Sequence, residues 1–269
     1  MGADIKSLRN RIKSVKSTLH LTKAMGLVAS SKIRRAQESR VKSEEYVSSL
    51  RSIVNVLSSS RECRMSPYLA KGTEGDRTRV VLIAGDRGLA GGYNVNVFRL
   101  ARELKEGTEI FAIGKKACER YSQPVRSSEK FTYEDAYELA LELCRSLKEG
   151  ETDKIQLLST KYVSMITQEP TLTTILPLES DGGEAKGEAV FEPDELTILE
   201  GAVPIYVAGL IYEATRESFA CEVVARRSAM DSAGKNATAM IDELQLHYNR
   251  ARQGAITQEI TEIVAGSGE

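Results

Sequence analysis

The apolar positions at the two ends of the chain recur at helical spacing, and those in the middle do not. Ile5, Leu8, Ile12, Val15 and Leu19 step by three and four residues, the repeat of a coiled-coil seam. The seam shifts around residues 22–26, continues through Met25, Val28, Lys32 and Ala36, and resumes as Tyr46, Leu50, Ile53 and Leu57. Near the other end, Ala237, Ile241, Leu244, Tyr248, Ala251 and Ala255 repeat the same steps, and Ile256, Ile260 and Ile263 follow on a seam displaced by one residue. A helix with one apolar stripe needs a surface to bury it against, and each end offers that surface to the other. The pattern therefore predicts an antiparallel coiled coil of the N- and C-terminal helices. About 60 residues at 1.5 Å each would make a rod about 90 Å long.

Proline sharpens the division. Pro67, Pro124, Pro170, Pro177, Pro193 and Pro204 all fall between residues 67 and 204, which leaves both ends free for long helices. Between them, residues 79–84, 109–113 and 154–159 are short apolar runs, with helix-like stretches at 94–106, 115–121 and 133–149. Strands alternating with helices predict a parallel sheet with right-handed crossovers, a Rossmann-like α/β domain. The acidic, Gly-rich residues 179–188 read as a loop, and residues 191–194 lead into the last helix. The expected division is 1–66, an N-terminal coiled-coil helix; 67–204, a central α/β domain; and 205–269, a C-terminal coiled-coil helix.

Charge adds an asymmetry that the net value of −1 conceals. Residues 1–42 hold eleven Lys and Arg against Asp4 and Glu38, a net of +9, which implies an anionic partner. The basic residues, among them Lys13, Lys16, Lys23, Lys32, Arg34, Arg35, Arg40 and Lys42, are interleaved with a continuing seam. The basic region of a DNA-binding zipper lies beyond its coil, so an acidic protein surface fits better than nucleic acid. No run of 18 apolar residues is present. The start, Met1 to Lys6, reads as neither a signal peptide nor a transit segment. Cys63, Cys118, Cys144 and Cys221 are widely spaced, and with His20 and His247 as the only histidines they suggest reduced thiols rather than a zinc site.

The most suggestive chemistry lies at residues 83–94, where an apolar run enters Gly85-Asp86-Arg87-Gly88-Leu89-Ala90-Gly91-Gly92 and a helix follows. Phosphate-binding turns have this arrangement, but the glycine order of a dinucleotide fold and the lysine of a P-loop are both missing. The plainer reading is that the glycines supply positive φ and close packing where a helix crosses the sheet. No Ser/His/Asp or Cys/His grouping appears. A nucleotide-binding α/β protein with a helical dimerisation arm stays open as an alternative, as does a nucleic-acid-binding coiled coil.

Three strings carry a resemblance. Ile12-Lys13-Ser14-Val15-Lys16-Ser17-Thr18 runs on through Leu21-Thr22-Lys23-Ala24-Met25 to Val28-Ala29-Ser30-Ser31-Lys32-Ile33-Arg34-Arg35-Ala36-Gln37. Leu244-Gln245-Leu246-His247-Tyr248-Asn249-Arg250-Ala251-Arg252-Gln253 leads to Ile256-Thr257-Gln258-Glu259-Ile260-Thr261-Glu262-Ile263. The third is Asp86-Arg87-Gly88-Leu89-Ala90-Gly91-Gly92-Tyr93-Asn94, with Ala90 where a cysteine is usual. Together they resemble the gamma subunits of F-type ATP synthases of the bacterial type.

The resemblance implies a coiled-coil axle inside a hexamer of alternating alpha and beta subunits. Its α/β foot would lie beside epsilon and on the membrane ring of c subunits. It implies a non-catalytic subunit without a cofactor, acting in ATP synthesis and hydrogen ion transport as a peripheral protein on the cytoplasmic face of the bacterial plasma (inner) membrane. By position, Lys23 and Met25 match the segment facing the acidic beta-subunit loop. Arg252, Gln253, Thr257 and Glu259 match the stretch that engages beta-subunit catch loops, and Arg226 a lower contact. Phe191 and Glu192 match foot residues near the c-ring loops. The tail, Gly266-Ser267-Gly268-Glu269, departs from the usual small, apolar ending, and the inserted Cys pair of the chloroplast redox switch is missing.

Overall fold

The computed structural model describes residues 2–69, 75, 77–178 and 191–266. Two long helices, α1 (Gly2–Ser59) and α5 (Glu195–Gly266), flank strands β1 (Thr78–Ile83), β2 (Glu109–Ile113), β3 (Lys154–Tyr162) and β4 (Gln168–Leu176). Three shorter helices, α2 (Tyr93–Ala101), α3 (Lys115–Arg120) and α4 (Tyr133–Lys148), lie between them in sequence. The chain forms two compact units, one of Met1–Ser30 with Arg226–Glu269 and one of Ser31–Ala225.

The first unit is the predicted antiparallel helix pair. A Cβ on Gly26 would lie 3.6 Å from Met230 Cβ, and one on Gly234 would lie 3.8 Å from Thr22 Oγ1. These contacts set a register in which paired residue numbers sum to about 256. Continued outward, it sets Leu19 level with Ala237, Ile12 with Leu244 and Ile5 with Ala251. The seams read separately from the two ends therefore mesh residue by residue. Ile12, Ala237 and Leu244 are buried, and Ile5, Val15, Leu19 and Ile241 are half-buried. The same register runs out of α1 at residue 254. The last twelve residues of α5, about 18 Å of helix, extend past it with Ile256, Ile260 and Ile263 exposed.

The middle of the predicted N-terminal seam needs correction. Val28 is 54% exposed, Tyr46 44% and Ile53 46%; Ala36 is buried as expected, and Thr22, Gly26, Ala29, Ser43, Val47 and Val54 are buried beside it. Small and hydroxyl-bearing residues take most of the inward positions there, and Val47 and Val54 the rest. A buried Thr or Ser on a helix satisfies its hydroxyl on its own preceding turn, as Thr22 does on Leu19 O at 3.0 Å and Ser43 on Arg40 O at 2.8 Å.

In the second unit β1 pairs in parallel with both β2 and β3, and the sheet order is β2-β1-β3-β4. The three predicted strands and their parallel arrangement are present. The fourth, β4, was not expected and pairs antiparallel with β3. Alternate residues of β1 feed opposite faces: Val81 and Ile83 join Leu139, Leu143, Leu199, Val207 and Ile211 in one core, while Val80 and Leu82 join Val97, Ala117 and Cys118 in the other. Helix α4 starts on a capping box, in which Thr132 accepts from Asp135 N–H and Asp135 accepts from Thr132 N–H.

Helix α5 begins before the expected boundary and carries Pro204 inside it. One of its stretches is apolar enough to cross a membrane, with a mean hydropathy of 1.3. Leu199, Val203, Val207, Ala208 and Ile211 of that helix are buried against the sheet instead. All four cysteines are free and buried, and burial pushes the thiols of Cys144 and Cys221 up to about 12. The acidic loop expected at 179–188 and the tail residues 267–269 lie outside the described residues.

Candidate functional site

Two places qualify: the glycine-rich turn at the end of β1, and the surface of the helix pair. In doubly wound α/β sheets a ligand binds beyond the carboxyl ends of the strands, where the chain switches direction. The chain leaves β1 for β2 on one side and returns to β3 on the other, so the glycine-rich turn sits at that position. Here α5 occupies the crevice. A Cβ on Gly85 would lie 2.8 Å from the Glu222 carboxyl carbon. Tyr93 donates its hydroxyl to Ser218 O at 3.0 Å, Thr160 N–H donates to Ser218 Oγ at 3.1 Å, and Tyr162 N–H donates to Glu217 Oε1 at 3.0 Å. The Gly85 N–H, which would face a phosphate, donates to Asn94 Oδ1 at 2.9 Å.

A buried carboxylate over the turn opposes an anion, so the packing reading of the glycines holds at Gly85. Within this turn, positive φ is confined to Gly91 and, unexpectedly, Leu89. Residues 217–222, whose role as a plug the sequence did not reveal, offered one signal: Ser218, Cys221 and Glu222 share a helix face with no seam assigned to it.

On the helix pair, Lys23 is exposed and Met25 half-buried. Lys23 lines a groove of about 660 Å³ with Leu27, Arg227, Met230, Asp231 and Lys235. Lys235 pairs with Asp231 at 2.9 Å, whereas Lys13, Lys16 and Lys23 make no ion pair among the described residues. Part of the basic face is answered internally, Arg34 by Glu38 at 2.8 Å and Arg40 by Glu44 at 2.9 Å. Arg226 is half-buried on α5. Its neighbour Arg227, which the sequence reading passed over, donates Nη1 to Gly26 O at 3.2 Å and to the Ser30 hydroxyl. A glycine at 26 exposes that carbonyl, which is the only sequence hint of the contact.

Arg252, Gln253, Thr257 and Glu259 are exposed, and Thr257 Oγ1 donates to Gln253 O at 3.0 Å. By register they stand about 30–40 Å along the rod from Met25, so the expected residues form two stations rather than one patch. In the second unit Phe191 is half-buried against the larger core, and Glu192 is exposed beside it.

Residues 4–268 match the ATP synthase family. The ATP synthase gamma chain of Ruminococcus albus is 39% identical over 283 aligned positions, covering 98% of each chain. The chain belongs to the ATP synthase gamma family. The gamma chain of Moorella thermoacetica is 38% identical, again over 98% of both. Among solved structures, a chain of the Euglena gracilis mitochondrial ATP synthase (OSCP/F1/c-ring, rotational state 3) superposes with a TM-score of 0.69 at 19% identity, covering 99% of this chain and 94% of that one. A chain of the Tetrahymena thermophila central stalk and c-ring gives 0.61 over 79% of this chain and 99% of that one. Long terminal helices with a small sheet between them are thus a fold shared with these chains.

Proposed function

We propose that this chain is the central rotor shaft of an F-type ATP synthase, coupling proton translocation through the c-ring to ATP synthesis and hydrolysis at the alpha/beta hexamer. The observation that carries this reading is the antiparallel helix pair with a protruding end. It is a rod with no threefold symmetry, as a part that biases three equivalent catalytic sites in turn must be. The chain itself is a non-catalytic subunit, and alpha, beta, epsilon and the c-ring are its partners. Segments 1–66 and 205–269 act as the axle and 67–204 as the foot. The assembly sits peripherally on the cytoplasmic face of the bacterial plasma membrane.

Lys23, Met25, Arg226, Arg252, Gln253, Thr257 and Glu259 meet the hexamer, and Phe191 and Glu192 meet the ring. Exposed cations passing acidic loops exert force without locking, because such pairs are individually worth about 0–1 kcal/mol. The alternative of a nucleotide-binding protein with a dimerisation arm is disfavoured by Glu222 and Ser218 filling the crevice at the glycine-rich turn.

The purified chain should hydrolyse no ATP and should strongly raise the ATPase activity of purified alpha and beta. Equal activity of alpha and beta without it would reject the shaft. Met25→Lys, which adds a long cation two residues from Lys23, should lower proton pumping per ATP hydrolysed in membrane vesicles; an unchanged ratio removes Met25 from the contact.

A further inference from the structure

Residues 127–131, between α3 and α4, are gripped from three directions within the second unit. From the turn after β1, Asp86 Oδ1 accepts the N–H groups of Ser128 at 2.9 Å and Lys115 at 3.0 Å. Its Oδ2 accepts the Ser127 hydroxyl at 2.5 Å and the Glu129 N–H at 3.1 Å. From α5, Arg216 Nη2 donates to the carbonyls of Ser128 at 2.6 Å and Phe131 at 3.0 Å, and Nη1 donates to that of Glu129 at 3.4 Å. From α1, Lys32 Nζ donates to Glu129 Oε1 at 2.5 Å.

The segment's N–H groups thus meet a carboxylate and its carbonyls a guanidinium, so each charge sees the matching end of the peptide dipoles. Burial raises the cost of charging Asp86, yet these donors hold its carboxyl below the usual range. The large core beside this segment is apolar, and apolar contact is non-directional. It resists separation of helix and sheet better than it resists slippage of one around the other. Hydrogen bonds to charged groups are directional and oppose that slippage.

We propose that Asp86, Arg216 and the Lys32–Glu129 pair make residues 127–131 a torsional lock, which keeps the α/β domain from slipping around the stretches of α1 and α5 packed against it. They are positioning residues for coupling, an inference that rests on the shaft reading above.

The test uses the complete ATP synthase assembled with each variant chain in sealed vesicles, with ATP hydrolysis and proton uptake recorded together. Arg216→Met should leave hydrolysis close to the parent rate while proton uptake per ATP against an established gradient falls well below the parental ratio. Arg216→Lys should lie between the two. Lys32→Met should lower the ratio less than Arg216→Met, as suits a partly exposed pair. The exchange Lys32→Glu with Glu129→Lys should restore it, which a general loss of stability would not do. If Arg216→Met fails to assemble, the half-exposed Lys32 and Glu129 series decides. Variants that assemble and pump at the parental ratio overturn the lock. A parent complex that hydrolyses ATP and pumps nothing overturns the shaft reading instead.

Discussion

Helix α5 is buried in two different ways along its length. In the α/β unit, Leu199, Val203, Val207, Ala208, Ile211, Cys221, Val223 and Val224 are all nearly inaccessible, and they lie on more than one face of the helix. In the helix pair only Met230, Ala237 and Leu244 of the same helix are buried. The first stretch is the core of a globular domain. The second is a single seam with most of its circumference open, including Arg252, Gln253, Thr257 and Glu259. Stability therefore comes mainly from the α/β unit, while the pair leaves its surface for partners that move past it.

The largest effect should come from the globular stretch. Ile211→Ala empties a closed core site and should cost about 3–4 kcal/mol in urea unfolding. A loss below about 1 kcal/mol would mean that this stretch is no better packed than the rod.

Next comes the acid limb. The folded Asp86 carboxyl lies below its ordinary value, so its contribution is complete above the unfolded value of about 3.9. As pH falls below that value the unfolded chain takes the proton first, and stability is lost through the folded pKa. Asp86→Asn should lower stability at neutral pH by about 2 kcal/mol and flatten its decline below pH 4 in matched unfolding curves. Parallel curves for parent and variant would contradict this.

In the helix pair, Arg227→Met removes the donor to Gly26 O and Ser30. It should speed amide exchange around residues 22–30 by about tenfold, a loss of about 1–2 kcal/mol, and leave the sheet amides unchanged. The smallest loss should come from Leu244→Ala, about 1 kcal/mol, because its site opens to solvent and closes no cavity. An Ile211-sized loss there would erase the distinction between the two stretches.

Much of the rod was legible because a heptad seam depends only on spacing. Ile5 to Leu19 and Ala237 to Ala251 mesh at one register although each was read without the other. The reading failed at Val28, where close helix approach at Gly26 and Gly234 favours small inward residues, and at Tyr46 and Ile53, where Val47 and Val54 turn inward instead. Strand β4 escaped because an edge strand is half wet, and Gln168, Glu169, Pro170 and three threonines carry no apolar run.

The glycine-rich turn was visible as a turn. Its plug was not, since nothing in the sequence brings Glu222 to Gly85 across more than a hundred residues. The proposed contact residues rest on resemblance alone, because exposed Arg252, Gln253 and Thr257 look like any solvated helix face.

The most direct measurement exploits the four buried cysteines. A single cysteine placed at exposed Glu138 offers the one accessible thiol for attaching a bead, with the alpha/beta hexamer fixed to glass and ATP supplied. A turning shaft predicts sustained rotation of the bead in one direction, advancing in three steps per turn. ATP hydrolysis at the full rate beneath a stationary bead would contradict it.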